Sequence, residues 1–468
     1  MFAINGLYTD HYELTMAQGY FLSGRQTHTA CFDYFFRINP FQGGYVVFAG
    51  LADLLEIIRN YHFSDENLVY LRSIDFKDGF IKYLENFRFR GDVYAPEEGE
   101  VVFPYEPVVR VEGNILETQV IETVLLNLLN FQSLIATKAS RMRHSAGNRL
   151  LIDFGLRRAQ GFGGIHASRA ATIGGFDGTS NVLSASRYHL HSTGTMAHSW
   201  IQSYPDELES FRDFAGFYPE RCVLLVDTYD TLKSGLPNAI KVAREMEEKG
   251  AKLEGIRLDS GDLGYLSKKA REILDANGLH YVKIFVSNQL DEYIIRSLIN
   301  QNAPVDGFGV GTKLVTGVEN AALDGVYKLS ELNNTPQIKI SDNLEKMTLP
   351  GKKNILRFYD ENDMFYGDAI ILAKETNIDE MYHPYQPLKS CSFENHRNEL
   401  LLKKVMKDGE IQAPDKTTTE IADYVGKRLS KLPDEHKRFE NPHIYKVGIS
   451  RNLMELRNKL IENIKSKY

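Results

Sequence analysis

The sequence has little cysteine: three residues, Cys31, Cys222 and Cys391, far apart and without any CxxC spacing. That spacing excludes a disulfide framework and a zinc cluster, and it suits a reducing compartment. Long apolar runs are also missing. The greasiest stretch, Val120 to Ala136, is broken by Glu122, Asn127 and Asn130, which makes it too short and too polar to span a bilayer. The N-terminus reaches Asp10 and Glu13 before an apolar run forms and has no basic flank, so no secretory leader is expected. There is no basic excess: 55 Lys and Arg against 62 Asp and Glu leave a net charge of -7, which supplies no global positive field to gather nucleic acid. Fixed-period repeats and low-complexity linkers are absent. The expectation is a cytoplasmic protein with neither nucleic-acid nor membrane partners, holding any anionic ligand through local arrangements.

What is present is core material: 468 residues, 43% hydrophobic and 25% charged, enough for two or three domains or for a barrel with extensions. Three regions are expected. Residues 1–140 mix helical spacing (Tyr12 to Leu22, Gly50 to Arg59, Val120 to Ala136) with strand-like runs at Ala30 to Arg37 and Val101 to Val111, an α+β pattern. Residues 141–330 alternate short apolar runs (LLIDF, VLLVD, EGIRLD, KIFVS, DGFGVG) with helical segments, which implies a parallel sheet. Pro237 marks one helix start and Gly250 its end, and Ser287 and Asn288 precede another helix as capping types. Residues 331–468 return to β-type runs, around Gln337 to Ile340, Asn354 to Tyr359 and Asp368 to Ala373, and close with a charged helix from Asn452. This last region reads as scaffold or interface.

Candidate chemistry sits just after the strands of the middle region, where α/β folds place their ligands. In GFGVGT, Gly309, Gly311 and Thr312 offer backbone N–H groups and a hydroxyl to a phosphate, without the spacing of a dinucleotide fingerprint or a Walker A loop. In RLDSGDL, Asp259 and Asp262 can accept from a sugar diol or hold Mg²⁺, while Arg257, Ser260 and Gly261 offer donors to phosphate. The alternative for this motif is a helix cap on Asp259 or Ser260. In HSTGTMAHSW, small hydroxyls including Thr195 surround His198, a competent nucleophile toward a phosphoryl group or a general base. Asp227, ending VLLVD, is the carboxylate expected to orient it. In FGLRRAQG, Phe154 can stack on a flat heteroaromatic ring, and either Arg157 or Arg158 can pair with an anion. GGFDGTSN, with Ser180, is small and polar enough to line a pocket. VLLVDTYDTLKSG has a superficial likeness to the type I phosphoribosyltransferase signature but lacks its adjacent acids and glycine pair.

Taken in order, LYTDHYELTMAQGYF, FFRINPFQGGYVVFAGL, FGLRRAQG, FDGTSN, GTMAHS, DTYDT, RLDSGDL, GVGT and LPGKKNILR resemble the nicotinate phosphoribosyltransferases, a type II phosphoribosyltransferase family, over nearly the whole chain. The resemblance implies an irregular α/β barrel beside an N-terminal α+β domain, and a homodimer with active sites at the interface. It implies a reaction, classified with the ligases, of nicotinate, 5-phosphoribosyl 1-diphosphate and ATP, with Mg²⁺ or Mn²⁺ as cofactor. His198 then matches the histidine phosphorylated by ATP, while Thr195, Arg257 and Tyr12 match nicotinate contacts. Thr312 matches a contact to phosphoribosyl diphosphate, and Phe154 and a partner-derived Tyr12 sandwich the pyridine ring. The related nicotinamide phosphoribosyltransferases carry an aspartate where this chain has Ser180. A carboxylate there would repel nicotinate, so nicotinate is the expected base. Quinolinate would demand more basic residues. A non-catalytic sensor should have lost some of these motifs, and all are present.

Overall fold

The five apolar runs of the middle region form short strands because each holds Val, Ile, Leu or Phe at buried positions, the pattern of a parallel sheet. We label them with the one strand that the periodicity did not reveal: β1 (Leu150–Asp153), β2 (Gly178–Thr179), β3 (Val223–Leu225), β4 (Gly255–Leu258), β5 (Lys283–Ser287) and β6 (Gly307–Val310). All five pairings among them are parallel, and the spatial order is β2-β1-β6-β5-β4-β3. Read cyclically this is chain order, so the strands form a barrel with one seam left open between β2 and β3. The irregular barrel expected from the resemblance is therefore the observed architecture.

The structure is a computed structural model that describes residues 4–341, 346–386, 388–393 and 396–466. The chain divides into two compact units. One contains Ile135–Ala321 with Thr417–Ala422, and the other contains the residues up to Leu134, Ala322–Lys416 and those from Asp423 onward. In the barrel unit the helices expected after β3 and β4 are Leu236–Glu248 and Leu263–Ala276, each amphipathic and burying its apolar stripe. The helix after β5, Glu292–Asn300, is capped by Asp291, whose carboxylate accepts from the N–H groups of Tyr293 and Ile294 at 3.1 and 2.8 Å. Ser287 and Asn288, expected as its capping residues, do not cap it; Ser287 is still in the strand.

In the other unit, the strand Thr29–Phe36 pairs antiparallel with Val109–Asn114 on one side and with Gly325–Leu332 on the other, and Lys403–Lys407 joins the same seven-stranded sheet. A second sheet of six strands is built from residues between Lys353 and Ile449. The stretch after residue 331, read from the sequence as an extension, thus supplies strands to both sheets, and the observed division is into two units. The expected run at Gln337 to Ile340 is not a strand. Asn333 and Asn334, both with positive φ (47 and 60), turn the chain into a two-residue strand at Thr335–Pro336. Among the described residues no helix is long and apolar enough to cross a membrane.

Candidate active site

The loops after the C-terminal ends of the barrel strands bring most of the sequence candidates together, as barrels do. Arg257 lies in β4 with its side chain largely enclosed. Its Nε donates to Ser287 Oγ at 2.9 Å, Nη2 to Asp259 Oδ1 at 2.7 Å, and Nη1 to Thr195 Oγ1 at 3.3 Å. The guanidinium carbon stands 5.2 Å from the centre of the Phe154 ring, within cation–π range. Phe154, Ser180, Thr195, Arg257, Ser287 and Gly309 line one cavity of about 730 Å³ within the barrel unit, large enough for a drug-sized ligand.

Gly309 acts here in a way the sequence did not suggest. Expected as a phosphate donor, it is the residue that makes room for Phe154: a Cβ at 309 would come within 2.4 Å of Phe154 Cε2. Gly311 and Thr312 follow at the strand end, where Thr312 opens a four-residue helical turn, Thr312–Val315, outside the cavity lining. Ser180 is anchored through its N–H to the Asp153 carbonyl at 2.8 Å.

Beneath this wall lies Asp153, which the sequence reading passed over. Its buried carboxylate accepts from the Gly155 N–H at 2.8 Å and from the hydroxyls of Ser168 and Thr179, each at 2.7 Å. Burial pushes its pKa above the usual carboxylate range, against the pull of these three donors. One carboxylate thereby ties the loop carrying Phe154 to the loop carrying Ser180.

At the rim, His198 begins the short helix His198–Gln202. Its Nδ1 is 3.0 Å from Thr228 Oγ1, and its Nε2 faces two carboxylates, Asp259 Oδ2 at 3.9 Å and Asp227 Oδ1 at 4.0 Å. Asp227, expected to orient His198 by a hydrogen bond, stands beyond that distance. Its Oδ2 instead accepts from the Asp259 N–H at 2.7 Å and the Ser260 hydroxyl at 2.6 Å, because the β4 loop folds across the end of β3. Its buried Oδ1 has no hydrogen-bond partner among the described residues. The direct partner of His198 is Thr228, which the sequence reading left out although it follows Asp227 in DTYDT.

The helix cap in RLDSGDL falls on neither Asp259 nor Ser260, where it was expected, but on the later acid. Asp262 is the helix cap, accepting from the Tyr265 N–H at 3.0 Å. Asp259 caps nothing and is held by Arg257 and Ser287. Gly261 has φ +76, a left-handed conformation that favours glycine, so it turns the loop. Arg157 and Arg158 lie in an exposed turn, Leu156–Arg158, and neither lines the cavity. Tyr12 lies in the other unit on the helix His11–Leu22, half exposed, where burial and the neighbouring Glu122 carboxylate hold its hydroxyl protonated well above the usual tyrosine range. Among the described residues no three His, Cys, Asp or Glu side chains converge as a metal site.

Comparison with known proteins gives three matches to family models: the nicotinate phosphoribosyltransferase N-terminal domain over residues 7–130, the nicotinate phosphoribosyltransferase family over 150–384, and the nicotinate phosphoribosyltransferase C-terminal domain over 352–457. A nicotinate phosphoribosyltransferase of Bacillus subtilis is 41% identical over 472 aligned residues, covering 98% of this chain and 96% of that one. Among solved structures, human nicotinic acid phosphoribosyltransferase superposes with a TM-score of 0.86 at 31% identity, covering 97% of this chain and 99% of that one. A nicotinate-nucleotide pyrophosphorylase from Pyrococcus furiosus superposes with a TM-score of 0.73 at 26% identity, covering 91% and 95%.

Proposed function

Because the chain belongs to the nicotinate phosphoribosyltransferase family, we propose that it joins nicotinate to 5-phosphoribosyl 1-diphosphate in the cytoplasm, giving nicotinate mononucleotide and diphosphate, with ATP hydrolysis coupled to the transfer through a phosphorylated His198. The observation that carries the reading is the mounting of Arg257. Its guanidinium is braced against Phe154, Ser287 and Asp259, with Nη1 directed to Thr195 at the cavity wall. A flat ring with a carboxylate finds there a face to stack on and a fixed cation to pair with. Ser180 adds a hydroxyl to the same wall and brings no negative charge to oppose the carboxylate.

Transfer to the pyridine nitrogen passes through an oxocarbenium-like ribosyl centre as diphosphate leaves. The site therefore needs acceptors for the ribose hydroxyls, from Asp259 and Asp262, and donors for the phosphates, from Ser260, Gly261, Gly311 and Thr312. Carboxylate oxygens not spent on hydrogen bonds to the protein, Asp259 Oδ2 and Asp227 Oδ1, fit a divalent cation arriving on the substrate phosphates. Such a cation, Mg²⁺ or Mn²⁺, would neutralise the charge developing on the departing diphosphate. Tyr12 completes the ring sandwich from the second copy of a homodimer.

The surroundings of His198 support different roles for its two nitrogens. Two carboxylates beside Nε2 favour a proton on that atom and repel a phosphoryl group placed there. Nδ1, which in that tautomer accepts from the Thr228 hydroxyl, is then the nitrogen that attacks ATP. The test of the whole reading is a product assay with nicotinate and nicotinamide, each with and without ATP. Nicotinate use that ATP stimulates is expected; efficient nicotinamide use indifferent to ATP would overturn it.

A further inference from the structure

Ser287 is the last residue of β5 and is buried. Its hydroxyl accepts the Arg257 Nε–H at 2.9 Å and donates to Asp259 Oδ1, and Arg257 Nη2 donates to that same oxygen at 2.7 Å. An arginine beside a carboxylate two residues away tends to close into two parallel N–H···O bonds, using Nε with Nη2 or both terminal nitrogens. Here the closure is incomplete. The serine occupies Nε, and by donating to Oδ1 it fixes the carboxylate so that Oδ2 points away, 3.9 Å from His198 Nε2. Both charges are thereby kept available: Nη1 of the arginine at Thr195, and Oδ2 of the aspartate at the histidine.

We propose that Ser287 is a positioning residue for the base: it stands between Arg257 and Asp259 and stops them from closing into a bidentate pair, so that the guanidinium stays aimed at the substrate carboxylate. The proposal rests on the reading of the cavity as a nicotinate site. Without the hydroxyl, Nε is left unsatisfied in a buried setting, which is unfavourable, and rotation of the guanidinium onto both oxygens of Asp259 relieves it. That rotation takes Nη1 off Thr195.

The experiment compares Ser287→Ala with the unaltered protein, varying nicotinate and nicotinamide in turn at saturating 5-phosphoribosyl 1-diphosphate. Losing one charge-assisted contact to the carboxylate should raise KM for nicotinate by roughly ten- to a hundredfold and leave kcat within about threefold. Because a neutral amide draws far less on the guanidinium, the kcat/KM preference for nicotinate over nicotinamide should fall with it. Ser287→Thr, which keeps the hydroxyl, should recover most of that preference. An unchanged nicotinate KM, or an equal loss for both bases, would overturn the proposal by reducing Ser287 to a packing residue. Should Ser287→Ala fail to fold, Ser287→Cys keeps the volume, replaces the hydroxyl with a weak donor and carries the same expectation. Failure of the unaltered protein to use nicotinate would instead refute the underlying reading, which separates the two.

Discussion

Replacing Gly309 by alanine tests the stacking wall directly. The added methyl would sit 2.4 Å from Phe154 Cε2 and 2.5 Å from Cδ2, with Ser287 Cβ at 3.2 Å closing off its retreat. Carbon atoms rest at about 3.5–4.0 Å, so the ring must give way by about 1 Å. Overpacking of this kind costs about 1–3 kcal/mol, and for a unit of this size each kcal/mol lowers Tm by about 2–4 °C. The larger effect is on function. The displaced ring carries both the surface proposed for nicotinate to stack on and the face against which Arg257 is braced, and misplacing a binding group by about 1 Å can cost about a hundredfold. Steady-state rates with nicotinate varied, together with a thermal melt, should show kcat/KM for nicotinate down about a hundredfold and only a modest drop in Tm. KM for 5-phosphoribosyl 1-diphosphate should hold. A variant with normal nicotinate kinetics would refute the claim that Phe154 and Arg257 form the base site.

Other expectations follow from the same geometry. His198→Ala should abolish acid-labile phosphate incorporation from labelled ATP while leaving slow ATP-independent synthesis, because binding of the base is separate from coupling; label retained on another histidine would reassign the role. Burial pushes the Glu13 carboxyl up to about 7, so its ionisation opposes folding. Stability from this group is full below the ordinary carboxylate range and is lost as pH rises through about 7. Relative to Glu13→Gln, the unaltered protein should therefore lose about 1 kcal/mol or more between pH 5 and 8 in urea titrations, and parallel curves would show that Glu13 is not shifted. If Tyr12 acts in trans, co-refolded Tyr12→Ala and His198→Ala chains should regain full coupled activity in about one quarter of all sites through mixed two-fold dimers. Activity equal to the parents' average, with mixed dimers proven by mass spectrometry, would place Tyr12 elsewhere.

The other strands of the barrel were legible because each is a short apolar run with polar residues close behind it, and β2 was not, because Gly178 and Thr179 carry no hydrophobic pattern. Residues that converge at the cavity and its rim were the easier ones to find: His198, Arg257 and Asp259 stand in motifs that the residue types alone single out. Those that act through others were missed. Asp153 reads as the polar end of a strand, Thr228 as a loop residue and Ser287 as a helix cap. Their partners lie 15 to 30 residues away in the pairs Asp153–Ser168, His198–Thr228 and Arg257–Ser287, and nothing local encodes a contact made only after the barrel forms. Arg357 shows the converse. It ends LPGKKNILR, a motif that carried the resemblance, and it is a buried structural cation satisfied by Asp368 and Glu100.

A ring of strands has no ends, and opening one joint gives it two. On the β2 side the exposed edge is met by residues 191–193, where the Thr179 N–H donates to the His191 carbonyl and the Thr193 N–H donates to the Thr179 carbonyl, both at 3.0 Å. The stretch leading to His198 is therefore moored to the ring on that side by two peptide bonds' worth of pairing, where a full strand would share a ladder. Such a mooring can be cast off without unmaking the five pairings that hold the other strands together. Amide exchange should be faster across residues 189–197 than in β4, β5 or β6. If His198 is phosphorylated as proposed, the new charge falls next to this two-bond mooring and not on a strand held by a full ladder.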